Sequence, residues 1–186
     1  MTKNFKITLI LLALLVGLYL LTERGQLQYR TQSSQLFMLE VDDIYRFLIQ
    51  NKTNAIELSR QDSSWVISGN DTLVVKSQSI DNFLDKVLLI EAVTRVSKNP
   101  ENWSKYSVDD STGTHLALID LDGNTIEYAV FGRSKSDYAR NYVRTHKDPQ
   151  VYLTNENILH YLSTLPTYWG EVPKAEELPA LDPIVE

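Results

Sequence analysis

The sequence predicts an α+β protein: one N-terminal transmembrane helix, then an antiparallel-sheet domain of two successive strand-rich units, each ending in an amphipathic helix. Three observations carry this reading. An uncharged apolar run fills 7–21. Short runs of Val, Ile, Tyr, Trp and Phe recur between turn residues, and apolar residues return at helical spacing within 80–88 and 158–165. The expected boundaries are 1–24 for a cytoplasmic tip and the anchor and 25–36 for a polar tether. The domain spans 37–166, with units at about 44–90 and 114–165, and 167–186 form an acidic, Pro-containing tail.

The run ITLILLALLVGLYLL carries no charge. Fifteen helical residues cover about 22 Å; counting from Phe5 to Thr22, with Lys6 reaching back to the headgroups, gives about 27 Å against a hydrocarbon core of about 30 Å. A cleaved signal peptide wants small residues at −3 and −1 of its cut site, and Leu21-Thr22-Glu23-Arg24-Gly25 offers no such pair. Lys3 and Lys6 precede the run, and positive charge stays cytoplasmic. The expected place is therefore the cytoplasmic membrane, single-pass, with the N-terminus inside and the main domain extracytoplasmic, in the periplasm. Residues 1–30 are net +3, and the remainder, with 14 basic and 23 acidic residues, is −9. Such a domain is repelled by anionic lipid, and a pI near 5.1 argues against nucleic acid as a partner.

The outer elements follow in order. Residues 25–35 are polar, a short tether. Strands are expected at 44–49, 55–59, 65–68 and 73–75, with Gly69-Asn70 turning the chain before the last. Ser79 is placed to cap a helix whose stripe is Ile80, Phe83, Leu84, Val87 and Leu88. Val93, Thr94 and Val96 make a return strand, ended by Asn99-Pro100, and a short turn or helix surrounds Trp103. Strands at 115–121 and 125–131 flank Asp122-Gly123, a pair suited to a type I′ hairpin because both central residues need positive φ. Residues 132–137 form a polar loop, and strands at 141–145 and 150–153 turn at Asp148-Pro149. Thr154 then caps a second helix with Ile158, Leu159, Leu162 and Leu165 on one face, stopped by Pro166.

Catalytic signatures are sparse. The absence of Cys excludes disulfides, thiolate metal sites and a thiol nucleophile. His115, His146 and His160 have no metal-binding spacing. Asp120, Asp122 and Asn124 resemble a calcium loop only superficially, since Gly123 stands at the fourth position and not the sixth. The pairs Asp42-Asp43 and Asp109-Asp110 read as solvated turn acids, with paired-carboxylate chemistry as the alternative. No nucleophile elbow, phosphate loop or dinucleotide fingerprint is present. No cofactor and no metal is expected.

Arg133, Lys135, Arg140, Arg144 and Lys147 crowd into 15 positions and interleave with Tyr138 and Tyr142. Arg133, Lys135, Tyr138, Arg140 and Tyr142 are the candidate interaction residues: basic groups for an acidic partner, with aromatic bodies supplying contact area. The competing reading is an edge strand protected from pairing by its charge.

Short motifs add a resemblance. Ser64-Trp65-Val66-Ile67 and the helix over 80–89 precede Asn102-Trp103-Ser104-Lys105-Tyr106-Ser107-Val108-Asp109. Val130-Phe131-Gly132, Asn141-Tyr142-Val143-Arg144 and Val151-Tyr152-Leu153 follow. In this order they resemble the domain-of-unknown-function family numbered 4340, over roughly 44–165. The one departure is Ser107, where the family usually has Gly in its turn. The resemblance implies a membrane-tethered, extracytoplasmic bacterial protein, often encoded beside export-type ABC transporter and gliding-motility-like components, and it carries no catalytic residues over. The expected function is a non-enzymatic accessory or scaffold domain of an envelope complex, with an ABC-type transporter as the membrane-complex partner. The alternatives are a ligand-binding module for a glycan, lipid or peptide, and a hydrolase whose site the sequence does not display.

Overall fold

The computed structural model describes residues 30–173 together with 12 and 14–17, the latter five helical. Most of the segment read as an anchor lies outside the described residues, as does 174–186 of the tail. Among the described residues no helix is long and apolar enough to cross a membrane.

The domain is mostly antiparallel sheet with few short helices. Its strands are β1 (Arg30–Gln35), β2 (Arg46–Gln50), β3 (Ala55–Gln61), β4 (Ser64–Ile67), β5 (Val74–Val75), β6 (Glu91–Ser97), β7 (Thr114–Ile119), β8 (Thr125–Arg133), β9 (Asn141–Thr145), β10 (Val151–Thr154) and β11 (Gly170–Glu171). The helices are α1 (Ser77–Leu88) and α2 (Pro166–Trp169). One sheet runs β1-β6-β10-β9-β8-β7-β2-β3-β4, and β5 and β11 form a small second pair. β8 is the hinge of the arrangement: its residues from Thr125 to Phe131 pair with β7, and those from Ala129 to Arg133 pair with β9. β7 and β9 are therefore staggered along one long strand.

One face carries the main core. All five stripe residues of α1 are buried, as the 3.6-residue spacing requires. Phe83 stacks on Phe47 at 4.2 Å, and Trp169 closes the group at 5.3 Å from Phe47 and 5.5 Å from Phe83. The helix starts earlier than the expected cap at Ser79. Lys76 N–H donates to the Trp169 carbonyl at 2.8 Å, so Lys76 is the last extended residue and the helix follows at once. Ser79 sits inside the first turn and donates to the Tyr168 carbonyl at 3.1 Å.

Four expectations are corrected. The tether includes a strand, because β6 has a free edge and β1, polar throughout, covers it. The second amphipathic helix does not form. Three of its backbone N–H groups are taken by side chains: Ile158 N–H donates to Asn141 Oδ1 at 2.7 Å, Leu159 N–H to Asn157 Oδ1 at 3.0 Å and Leu165 N–H to Ser163 Oγ at 3.2 Å. Such local bonds compete with the helical ladder, and 155–165 becomes a chain of turns that still buries Ile158 and Leu162. Pro166 opens α2 instead of closing a helix, a role its fixed φ favours. The start of the tail is domain: Trp169 is fully buried and Gly170–Glu171 pairs with β5. Finally, the β7–β8 turn is not type I′. Only Gly123 has positive φ, 87°; Gly123 N–H donates to the Asp120 carbonyl and Asp120 N–H to that of Asn124. This is a three-residue loop ending in a left-handed glycine, and a register shift follows it.

Candidate interaction surface

The fold disperses the basic run. Arg140 donates from Nε and Nη2 to Asp137 Oδ2, both at 2.6 Å, and this bond holds the Asp137 carboxyl below its ordinary range. Asp137 Oδ1 accepts from Ala139 N–H and Asp137 N–H donates to Ser134 Oγ, so the charge of Arg140 is neutralised within its own loop. Tyr142 projects from β9 onto the face away from α1, edge-on to Tyr106 with ring centres 4.8 Å apart. Arg144 is buried, and Lys147 pairs with Glu127 at the other end of β9. Of the five candidates, Arg133, Lys135 and Tyr138 are left exposed together. Neither Arg133 nor Lys135 has an ion pair or side-chain hydrogen bond among the described residues.

Two open clefts flank Arg133. The smaller, about 310 Å³, is lined by Arg133, Tyr138, Asn157, Leu159 and His160. The larger, about 520 Å³, has Leu159 and Leu162 at its floor and Asn51, Ser107, Thr112 and Ser163 among its walls. The stagger of the sheet makes the step in which it lies: β7 begins opposite Phe131, whereas β8 runs on to Arg133 beside the 51–54 loop. Tyr138, 76% exposed, is held by its carbonyl, which accepts from Asn157 Nδ2 at 2.9 Å. The surface can thus offer two unpaired cations, an aromatic ring and a row of amides and hydroxyls.

The histidines do not converge. His115 Nδ1 meets the Tyr128 hydroxyl, His160 lies tilted against Tyr161 with ring centres 3.8 Å apart, and His146 is exposed. Among the described residues no group of three or more His, Asp or Glu is arranged to hold a metal ion. Asp109 caps its own loop, and bonds from the Ser111 and Thr112 hydroxyls hold its carboxyl down to about 2.

Sequence reading singled out the motif residues but not what joins them. Trp103, Tyr106, Val108, Gly132, Tyr142 and Arg144 meet on the face away from α1. Arg144 lies 4.0 Å from the Trp103 ring centre, donates from Nε to the Val108 carbonyl at 2.5 Å and pairs with Asp110. Trp103 Nε1 donates to the Pro149 carbonyl at 2.9 Å and Tyr106 OH to that of Val96 at 3.2 Å. A Cβ on Gly132 would stand 2.1 Å from the Tyr106 carbonyl oxygen, so only glycine lets β8 run beneath this turn. Ser107 adopts the left-handed conformation, φ 54° and ψ 37°, that a glycine would take more cheaply. The turn keeps its shape without its glycine. These residues form a structural clamp whose polar groups are turned inward; the exposed chemistry lies beside it, at Arg133.

A family model described as Domain of unknown function (DUF4340) matches residues 65–171, from Trp65 of β4 to the end of β11. No curated protein and no solved structure matches the chain.

Proposed function

The chain belongs to the DUF4340 family, and from that premise we propose a non-enzymatic, membrane-tethered accessory domain of an envelope complex that engages an acidic protein partner through Arg133, Lys135 and Tyr138. The observation that carries this reading is the pair of unpartnered cations on an outer part whose total charge is −9. A local inversion of sign steers an acidic surface to one place, and the exposed ring adds contact area at low side-chain entropy cost. The anchor is the uncharged run 7–21 behind Lys3 and Lys6, which keeps the N-terminus inside and the domain in the periplasm. A partner of ABC-transporter type is what the family resemblance implies.

Co-purification in a non-ionic detergent tests it. Replacing Arg133, Lys135 and Tyr138 together with Ala is expected to lower partner recovery about tenfold, since surface hot spots are worth about 1.4 kcal/mol or more. The melting curve should stay within about 0.5 kcal/mol of the parent, because the three side chains are exposed. Arg140→Ala alone should leave recovery unchanged, its charge being satisfied by Asp137. Equal recovery from the triple variant at low salt would move the interface elsewhere. A second reading, a module for a glycan, lipid or peptide, is favoured by the amide and hydroxyl lining of the larger cleft; there the triple variant would keep its proteins and lose a small ligand.

A further inference from the structure

The large sheet ends in two unlike edges. β1 is polar, begins with Arg30 and carries a register shift, whereas β4, Ser64-Trp65-Val66-Ile67, has no charge, no proline and no bulge. Such features ordinarily blunt an edge, because its free N–H and C=O groups template another strand. Ser68 N–H donates to the Glu57 carbonyl at 2.9 Å, and the register carries this alternation along β4. Ser64 and Val66 therefore exchange bonds with β3. Trp65, opposite Arg60, turns its N–H and C=O outward, where no strand among the described residues pairs with them.

This edge is one wall of an open groove of about 420 Å³. Leu73, Val74 and Val75 line it as well, Val74 being 56% exposed, and Asp81 of α1 contributes its charge. Lys76 N–H donates to the Trp169 carbonyl, so Val75, one residue back and opposite Gly170, turns its own N–H and C=O away from β11. Backbone groups without a strand partner thus stand beside apolar side chains on both β4 and β5. Asp81 is exposed and has no ion pair or side-chain hydrogen bond among the described residues. The cations beside these strands are committed. Arg60 lies over the Trp65 ring at 5.6 Å and pairs with Asp42, and Lys76 Nζ donates to the Thr167 and Tyr168 carbonyls.

We propose that this groove takes an extended segment of a partner protein as a further strand on β4, paired through the Trp65 N–H and C=O. A Lys or Arg of that segment reaches Asp81, and apolar side chains two residues to either side lie on Leu73–Val75. Main-chain bonds supply the affinity and the alternate side chains the selectivity. A second copy of this chain is the poorer fit, since its uncharged β4 brings no cation to Asp81. The site stands apart from the Arg133 surface and does not rest on it.

The test uses the full chain in a non-ionic detergent and the capped peptide acetyl-Val-Thr-Lys-Thr-Val-amide, followed by ligand-observed NMR. When extended, its Val and Lys side chains share one face. Saturable binding is expected, and none by the same peptide methylated at every backbone nitrogen, which keeps the side chains and the charge but loses the donors. Asp81→Asn should weaken binding about threefold, the effect of losing one exposed ion pair. Ser64→Lys, a charge placed on the edge itself, should abolish it. Both side chains are exposed, so both variants should melt with the parent. No saturable binding by the parent chain, equal binding of the methylated peptide, or undiminished binding by Ser64→Lys would overturn the assignment. So would a parent chain that sediments as a dimer and becomes monomeric in Ser64→Lys, which would give the edge to a second copy. Partner recovery through Arg133 should be unchanged in both variants, so this site and that surface fail separately.

Discussion

The two faces of the sheet are covered by different means. Over one, α1 lays Ile80, Phe83, Leu84, Val87 and Leu88 on β2, β3, β7 and β8, and Trp169 returns from the far end of the domain to complete the aromatic group. Its cohesion is apolar area, which is non-directional and tolerant of small shifts. Over the other, Val108, Val130 and Val151 form a smaller apolar group. The 98–113 excursion is fastened there by one cation, two ring donors and a glycine that admits a carbonyl. Its cohesion is geometric, set by atoms that must meet at particular distances. A face held by area declares itself in the spacing of its residues; a face held by single bonds does not.

The largest effect should fall on the helix-covered face. Phe83→Ala removes a fully buried ring in contact with Phe47 and Trp169 and should cost about 3–5 kcal/mol in denaturant melts. A loss under about 1 kcal/mol would mean that this face closes over the gap, and the contrast between a packed and a pinned face would disappear. Arg144→Met keeps the bulk under Trp103 but leaves the Val108 carbonyl and Asp110 without their donor. A loss of about 1.5–3 kcal/mol is expected, the worth of a hydrogen bond to a charged group. If the melt moves by less than about 0.5 kcal/mol, the three valines hold the second face unaided. The smallest effect has the opposite sign: Ser107→Gly relieves a left-handed non-glycine residue and should stabilise by about 0.5–1 kcal/mol. A destabilised variant would show that the Ser107 side chain contributes a contact of its own.

The same contrast explains what was legible in the sequence. The α1 stripe, the strands β2, β3 and β4, and the pair β9 and β10 could be read because burial on one face imposes a period. The 158–165 stripe has that period too, yet Asn141, Asn157 and Ser163 claim its N–H groups, and competition of this kind leaves no mark in hydrophobic spacing. β1 escaped notice because a polar edge strand needs no apolar face, and β11 because two residues cannot show a period. At the candidate surface, Arg133, Lys135 and Tyr138, which composition singled out, are exposed. Composition also grouped with them Arg140, which is paired three residues away, and Tyr142, which strand alternation sends to the opposite face. Glu127 lies on β8 and Lys147 on the turn after β9, and the register of β8 against β9 brings them together.

The order of strands also governs how the chain can assemble. β6 lies between β1 and β10, with Arg30 opposite Thr94 and Tyr152 opposite Arg95, so both of its partners come from distant stretches of chain. The β2–β3–β4 meander and the β7–β8 hairpin close over short loops and can form as soon as they are made. β6 has only the marginal β1 edge to rest against until β10 arrives, and the aromatic group over α1 lacks its last ring until Trp169 arrives. Non-local closure of this kind is slow, and it leaves apolar surface open in the meantime. During synthesis the helical stripe is therefore the part of this chain most in need of a chaperone, and it loses that need only when residue 169 has joined the fold.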